Sequence, residues 1–376
     1  MKQILLVPDS FKGTLSSSQV CKLMEAQLTL FFPEAHIDSL PVADGGEGSV
    51  DAFLTAAGGR KVTKTVTGPF GEPVESFYGI LPDGCTAVIE MAACAGLPLA
   101  EGHLDPEKAT TFGVGELILA AKEAGCTKII LGLGGSCTND GGTGAASALG
   151  AVFTKEDGSE FVPTGGTLKD IAALDCLPPQ KTLEGVELTV MCDIDNPLFG
   201  ESGAAYVFAP QKGADAAAVQ RLDDGLRHLG EVASRCLGKD FSHLPGAGAA
   251  GGLGFGMAAF CGAKLKMGID VVLETLGFEE KLQSADLVFT GEGRIDFQSA
   301  RGKVVCGVAA RAKQAGVPVI ALVGEIGPGF EPLYDRGLTA VFSINRVAQP
   351  FSESRYHAEE NLSLAMENIA RMLVMK

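Results

Sequence analysis

The chain reads as an α/β protein, a Rossmann-like doubly wound parallel sheet interrupted by a second, mixed α/β domain. Two observations predict this. At both ends of the sequence, short continuous apolar runs of the kind found in strands buried on both faces alternate with helix-period segments. Between the ends lies a stretch where polar and apolar residues alternate and glycine and proline recur, the pattern of antiparallel strands. With 376 residues, 46% of them hydrophobic, the chain is long enough for a large core divided among two or three domains.

The first apolar run, residues 4–7, reads as a strand that ends in the loop Pro8-Asp9-Ser10-Phe11-Lys12-Gly13. A helix follows: Val20, Leu23, Met24, Leu28 and Phe31 fall near helical spacing, residues 16–18 supply capping serines, and Pro33 closes the segment. The C-terminal third repeats this grammar. Residues 287–289 lead into 291–296, residues 319–323 into Gly324, and residues 340–344 precede a final helix over about 358–373. In the middle, residues 61–80 alternate in polarity with breaks at Gly68, Pro69, Gly71 and Pro73. Residues 87–91, 128–133 and 188–192 read as further strands, and 161–179 is broken by proline and glycine. The expected organisation is one discontinuous domain, residues 1–60 with 269–376, carrying an inserted domain, 61–268. The cleft between them is the expected site.

Composition narrows the partners. A net charge of −16 disfavours nucleic acid and anionic membrane, which would be approached through a repulsive field. The 50 glycines cluster at loop positions without a short period, which excludes collagen-like and low-complexity readings. Ten cysteines without a C-x-x-C pair resemble buried thiols of a reducing cytosol, and the opening apolar run is too short for a signal peptide or membrane span. The expectation is a cytoplasmic protein, and a homo-oligomer is compatible with it.

Four polar, glycine-rich junctions carry the chemistry. Gly134-Gly135-Ser136-Cys137-Thr138-Asn139-Asp140-Gly141-Gly142 lies between an apolar run and an alanine-rich one, so it reads as strand, glycine loop, helix. Glycines let backbone N–H groups approach an anion, and a helix N-terminus adds positive potential, so Gly134, Gly135, Ser136, Thr138, Asn139, Gly141 and Gly142 are candidate nucleotide-phosphate contacts. No Gly-Lys-Ser/Thr closes the loop, so a phosphate-binding cation has to come from elsewhere; Lys303 and Arg294 are the candidates. The other junctions are residues 8–13, residues 43–48 (Ala-Asp-Gly-Gly-Glu-Gly) and residues 291–296 (Gly-Glu-Gly-Arg-Ile-Asp). Their pairing of charge with glycine suggests one composite site.

Asp44 and Asp296 are candidate acceptors for a hydroxyl proton, as carboxylates can be when an alcohol attacks a phosphoryl group; each could instead cap a helix or orient a turn. Lys12 and Arg294 suit a substrate carboxylate, with Asp9 and Ser10 in the same loop. Asp193 ends an apolar strand in Cys-Asp-Ile-Asp-Asn, and with Asp140 it is a candidate oxygen ligand for Mg²⁺. Gly246-Ala247-Gly248-Ala249-Ala250-Gly251 matches the dinucleotide fingerprint by letter, but proline and polar residues precede it where a strand is required, so a loop or packed helix start is the better interpretation.

Residues 8–13, 43–48, 134–142, 192–198 with Gly200, 248–254 and 291–303 occur in the order seen in the bacterial glycerate kinase type 1 family, which the chain resembles over nearly its whole length. The resemblance implies ATP-dependent phosphorylation of D-glycerate with Mg²⁺, at the 2-hydroxyl, giving 2-phosphoglycerate. It also implies a flavodoxin-like domain interrupted by one with a restriction-enzyme-like sheet. The chemistry of the loops then places Mg-ATP along residues 134–142 with Lys303, and glycerate at the opposing loops. Two rivals remain: a Mg²⁺-dependent phosphatase or phosphomutase using Asp193 as nucleophile, and a non-catalytic binder of nucleotides or small acids.

Overall fold

The computed structural model describes residues 1–42, 45–299 and 303–375. Along the chain the strands are β1 (Gln3–Pro8), β2 (His36–Ser39), β3 (Arg60–Thr67), β4 (Pro73–Ile80), β5 (Thr86–Glu90), β6 (Lys128–Gly132), β7 (Val152–Thr154), β8 (Glu160–Phe161), β9 (Ala173–Asp175), β10 (Glu187–Met191), β11 (Lys264–Lys266), β12 (Leu287–Ile295), β13 (Val319–Ile326) and β14 (Leu338–Ser343). They belong to two compact units. The first is Met1–Ala43, Thr55–Ala57 and Ile269–Lys376; the second is Asp44–Leu54 and Gly58–Gly268.

The first unit is built on a five-stranded, wholly parallel sheet in the order β2-β1-β12-β13-β14. Its central strands are apolar on both faces because helices cover both. Alternate residues Ile4, Leu6, Phe289 and Leu322 pack with Val20, Met24 and Leu28 of the helix Ser17–Phe31 and with Leu362, Met366 and Ile369 of the helix Ala358–Val374. The intervening residues Leu5, Val7, Val288, Ala321 and Val323 are equally buried, and the helix Val304–Ala315 packs on the same strands. The helix Ser17–Phe31 starts where its capping serine stands. Ser16 accepts from the Gln19 amide while the Gln19 side chain accepts from the Ser16 amide, a reciprocal capping box.

The second unit holds a six-stranded mixed sheet, β11-β10-β6-β5-β4-β3. Strands β5, β6, β10 and β11 run parallel, and β3 and β4 form an antiparallel hairpin in register from Arg60↔Ile80 to Thr67↔Pro73. The alternating polarity of residues 61–80 therefore marks a strand pair with one covered face. Proline and glycine at the turn end the ladder.

Two features of this unit go beyond the sequence reading. The broken stretch around 161–179 contributes β8 and β9 to a small antiparallel sheet, β8-β7-β9. The helix Ala216–Leu237 runs 22 residues, capped by the Asp215 carboxylate on the Ala218 amide and ended by Gly238 in the left-handed conformation. Leu222, Leu226 and Leu229 on its buried face join Leu253 and Phe260 of the helix Ala249–Cys261 in the core. Among the described residues no helix is long and apolar enough to cross a membrane.

Replacing Ser16 by alanine removes one half of the capping box and should cost about 1 kcal/mol. Urea denaturation of the Ser16→Ala variant should show a lower midpoint with an unchanged slope.

Candidate active site

The four glycine-rich junctions fall into two pairs, one in each unit. In the second unit, residues 45–46 lie against the start of the 134–142 loop. Gly134 N–H donates to Gly45 O at 3.0 Å, and a Cβ on Gly132 would collide with the same carbonyl. Only a residue without a side chain lets these backbones approach. Asp44, the expected proton acceptor in that junction, lies outside the described residues.

The 134–142 loop leaves β6 and turns inward. Ser136, Thr138, Asn139 and Asp140 are all buried, and only Gly134 and Gly135 are open to solvent to any degree. Its far wall is the kinked start of the helix Ala249–Cys261. Gly251 there adopts φ +67°, and a Cβ on it would run into the Thr138 carbonyl; its own carbonyl accepts from Gly141 N–H at 2.9 Å. The dinucleotide-like string 246–251 is thus a packing device against the loop.

Asp140 is the fastener of this turn. One carboxylate oxygen accepts from the Thr111 amide at 2.8 Å, the Thr111 hydroxyl at 2.8 Å and the Gly144 amide at 3.3 Å; the other accepts from the Gly142 amide at 3.1 Å. Burial drives its pKa up, and these donors pull against that rise. A carboxylate so occupied and fully enclosed has no open face for a metal, which corrects the expectation that Asp140 is a Mg²⁺ ligand. Gly141 and Gly142 also change role. Their amides are spent on Gly251 and Asp140, and they pack against Leu229 and Leu253, so they shape the loop from behind and do not present N–H groups to phosphate.

The sequence reading missed the cation of this loop. Lys212, 1% exposed, donates to Ser136 Oγ at 2.8 Å and to Thr138 O at 2.7 Å. Burial lowers its pKa from 10.5 to about 8, with Cys137 and Asp140 opposing the shift. It stands in the short 3-10 turn Pro210–Lys212, with partners more than seventy residues away, so no local motif marks it. The neighbouring Asn139 amide is fully buried, and neither its oxygen nor its nitrogen has a hydrogen-bond partner among the described residues. Asp193, at the end of β10, is half-buried and accepts from Gly268 N–H at 2.7 Å.

In the first unit the other two junctions meet at the carboxyl ends of β1 and β12. β1 is followed along the sheet by β2 on one side and β12 on the other, so these ends flank a topological switch point, where open parallel sheets bind ligands. Asp9 N–H donates to Gly291 O at 2.8 Å, and the Asp9 carboxylate accepts from Ser10 N–H at 2.6 Å. Asp9 and Ser10 are half-buried here and Lys12 is exposed. Arg294 is exposed and lies between Asp296 at 3.2 Å and Glu325 at 3.5 Å. Asp296 also accepts from Gln298 N–H at 2.8 Å, which makes it the organiser of the turn 296–299. Lys303 is the N-cap residue of the helix Val304–Ala315, and its ammonium reaches Gln298 Oε1 at 3.4 Å.

Asp9, Ser10, Arg294, Asp296 and Lys303 are thus gathered in one unit, together with a residue not singled out from sequence. Glu292 is 6% exposed, and its Oε1 has no hydrogen-bond partner among the described residues. No group of three or more histidine, cysteine, aspartate or glutamate side chains that could hold a metal ion occurs among the described residues.

Glycine-rich loops at the carboxyl ends of parallel strands, one backed by a buried lysine and the other by carboxylates and basic residues, define a ligand-handling α/β protein of two units. Residues 4–374 match the glycerate kinase family, and the chain belongs to it. It is 46% identical over 369 residues to the glycerate kinase of Bacillus subtilis (strain 168), with 98% of this chain and 97% of the relative covered. To the glycerate 2-kinase of Escherichia coli (strain K12) it is 44% identical over 372 residues, covering 99% and 98%. The crystal structure of a protein assigned as glycerate kinase 2 from Salmonella typhimurium LT2 superposes with a TM-score of 0.88 at 42% identity, over 99% of this chain and 98% of that one.

Lys212→Met keeps the bulk but strips two buried acceptors of their donor, a loss of about 1–3 kcal/mol. Thermal unfolding should register it. In wild type, a lysine whose folded pKa of about 8 lies below its unfolded value binds fewer protons folded than unfolded between those values. Its contribution therefore makes stability rise with pH from about 8 towards 10.5, and the Lys212→Met variant should lack that rise.

Proposed function

We infer that this protein is an ATP-dependent kinase that phosphorylates D-glycerate at the 2-hydroxyl, giving 2-phosphoglycerate and ADP. The observation that carries this reading is family membership along essentially the whole chain, including relatives named for glycerate phosphorylation. It is an enzyme, a phosphotransferase acting on an alcohol, and the phosphatase reading on Asp193 and the non-catalytic binder both give way to it.

The nucleotide is assigned to the 134–142 loop. Gly134 and Gly135 form the accessible edge, with Ser136, Thr138 and Asn139 behind them and Lys212 adding positive charge from within. The orphaned Asn139 amide supports a polar ligand at this loop. Glycerate is assigned to the switch point of the first unit. There Asp9 and Ser10 line the β1 loop, Lys12 and Arg294 suit its carboxylate, and Lys303 supplies a cation beside them.

Mg²⁺ fits this chain in one way. With no all-protein cage among the described residues, it would arrive on the nucleotide phosphates and take Asp193 as a protein ligand, the usual habit of an ion that keeps waters and binds through one or two carboxylates. When bound it would neutralise charge on the transferring phosphoryl group. The remaining work is positioning, because a loose phosphoryl-transfer transition state needs little covalent help. Asp296, already committed to Arg294 and its own turn, and Asp44 are the sequence-derived candidates for the proton acceptor.

The order β2-β1-β12-β13-β14 supports a flavodoxin-like assignment for the first unit. The restriction-enzyme-like assignment of the second rests on the family resemblance. A cytoplasmic location is the reading that the cysteine usage supports.

A coupled assay should show ADP release that depends on D-glycerate, and NMR of the product should place phosphorus on the 2-hydroxyl oxygen; ADP release indifferent to glycerate would exclude the reading. Lys303→Met should depress kcat more than it disturbs folding, and wild-type turnover in a properly folded variant would remove Lys303 from the mechanism. Asp193→Asn should raise the Mg²⁺ concentration needed for half-maximal rate.

A further inference from the structure

We propose that Glu292 accepts the proton of the glycerate hydroxyl as that oxygen attacks the γ-phosphorus. The proposal deepens the kinase reading and rests on it. Glu292 occupies the carboxyl end of β12, beside the switch point, between Gly291 and Gly293. Those glycines explain its placement: a Cβ on Gly291 would collide with the Leu322 carbonyl, and Gly293 lies against the backbone of Phe11 and Lys12. The strand is thereby drawn tightly between the β1 loop and β13, and the one long side chain in the tripeptide is carried inward.

A buried carboxyl oxygen without a partner is costly unless something else meets it. Asp296, the rival acceptor, is by contrast already engaged with Arg294 and the Gln298 amide.

Among the described residues, the charged groups facing Glu292 are Asp9 from the loop after β1, Lys303 from the start of the helix Val304–Ala315, and Asp296 just after its own strand; the adjoining residues of β13, Val323 and Gly324, carry none. Burial pushes its carboxyl up to about 7, with Asp9 and Asp296 adding to the rise and the Ser299 hydroxyl and Lys303 opposing it. A base with that affinity is matched to taking a proton near neutral pH. In the step, the hydroxyl O–H bond breaks and its proton passes to Glu292. The alkoxide oxygen bonds to the γ-phosphorus while the bond from phosphorus to the β–γ bridging oxygen breaks, and that electron pair leaves with ADP.

The test compares wild type with Glu292→Gln and Glu292→Asp in the glycerate-dependent ADP assay across pH, with circular dichroism to establish folding. Wild-type kcat/KM should rise with pH through about 7, since the base must be ionised. Glu292→Gln should lose about 10²–10⁴-fold in kcat, as expected for removal of a general base. It should also lose the acid limb, whereas Glu292→Asp keeps a limb at partial activity; a merely structural carboxylate would leave the limb in place. Wild-type turnover with an unchanged acid limb in folded Glu292→Gln would overturn the assignment. Should that variant fail to fold, a wild-type kcat/KM that is flat from about pH 5.5 to 8.5 would overturn it equally. No glycerate-dependent ADP release from the wild type would instead remove the kinase reading and this assignment together.

Discussion

Backbone meeting backbone is the constraint on which the second unit depends. Three stretches far apart in the sequence, around Gly45, Gly134–Gly142 and Gly251–Gly256, touch through carbonyls and α-carbons with no side chain between them. Such an approach forfeits the packing a larger residue would supply and exposes the chain to a larger entropy loss on ordering. It also creates a polar interior that must be satisfied group by group. Asp140 and Lys212 do most of that, one by accepting from the amides and hydroxyl around it and the other by donating to a hydroxyl and a carbonyl. Both are enclosed, so the loop is shaped by an acidic and a basic side chain that do not meet bulk water.

The first unit uses glycine for a different end. Around Gly291 and Gly293 the missing side chains let β12 press against its neighbours, and the benefit goes to the residue between them. Glu292 is buried by that closeness, while Asp296, four residues on, is only half-buried and is held by Arg294 and a turn amide. Two carboxylates four residues apart thus meet different surroundings.

Much of this was legible in the sequence because it follows from local periodicity. The continuous apolar run at 4–7, the alternation at 61–80 and the helical spacing of Val20, Met24 and Leu28 each depend on residues close in the chain, and β1, the β3–β4 hairpin and the helix Ser17–Phe31 formed where those patterns stood. The loop motifs were visible as glycine beside charge. Their internal roles were not, since Asp140 as anchor and ligand-shy Gly141 and Gly142 are decided by Thr111 and Gly251, which no spacing rule connects to them. Lys212 was hidden for the same reason. Glu292 stood in a quoted motif, yet burial is what distinguishes it from Arg294 and Asp296, and burial belongs to the assembled sheet.

The register of β1 against β12, Ile4 beside Leu287 through Pro8 beside Gly291, carries an implication for biosynthesis. A ribosome delivers the amino terminus first, but the long edge that this strand needs emerges only after some two hundred and eighty further residues. During that interval the intervening unit can complete itself, since its own strands are contiguous from β3 to β11. The opening segment, apolar along its length, must meanwhile be kept from pairing with other nascent copies.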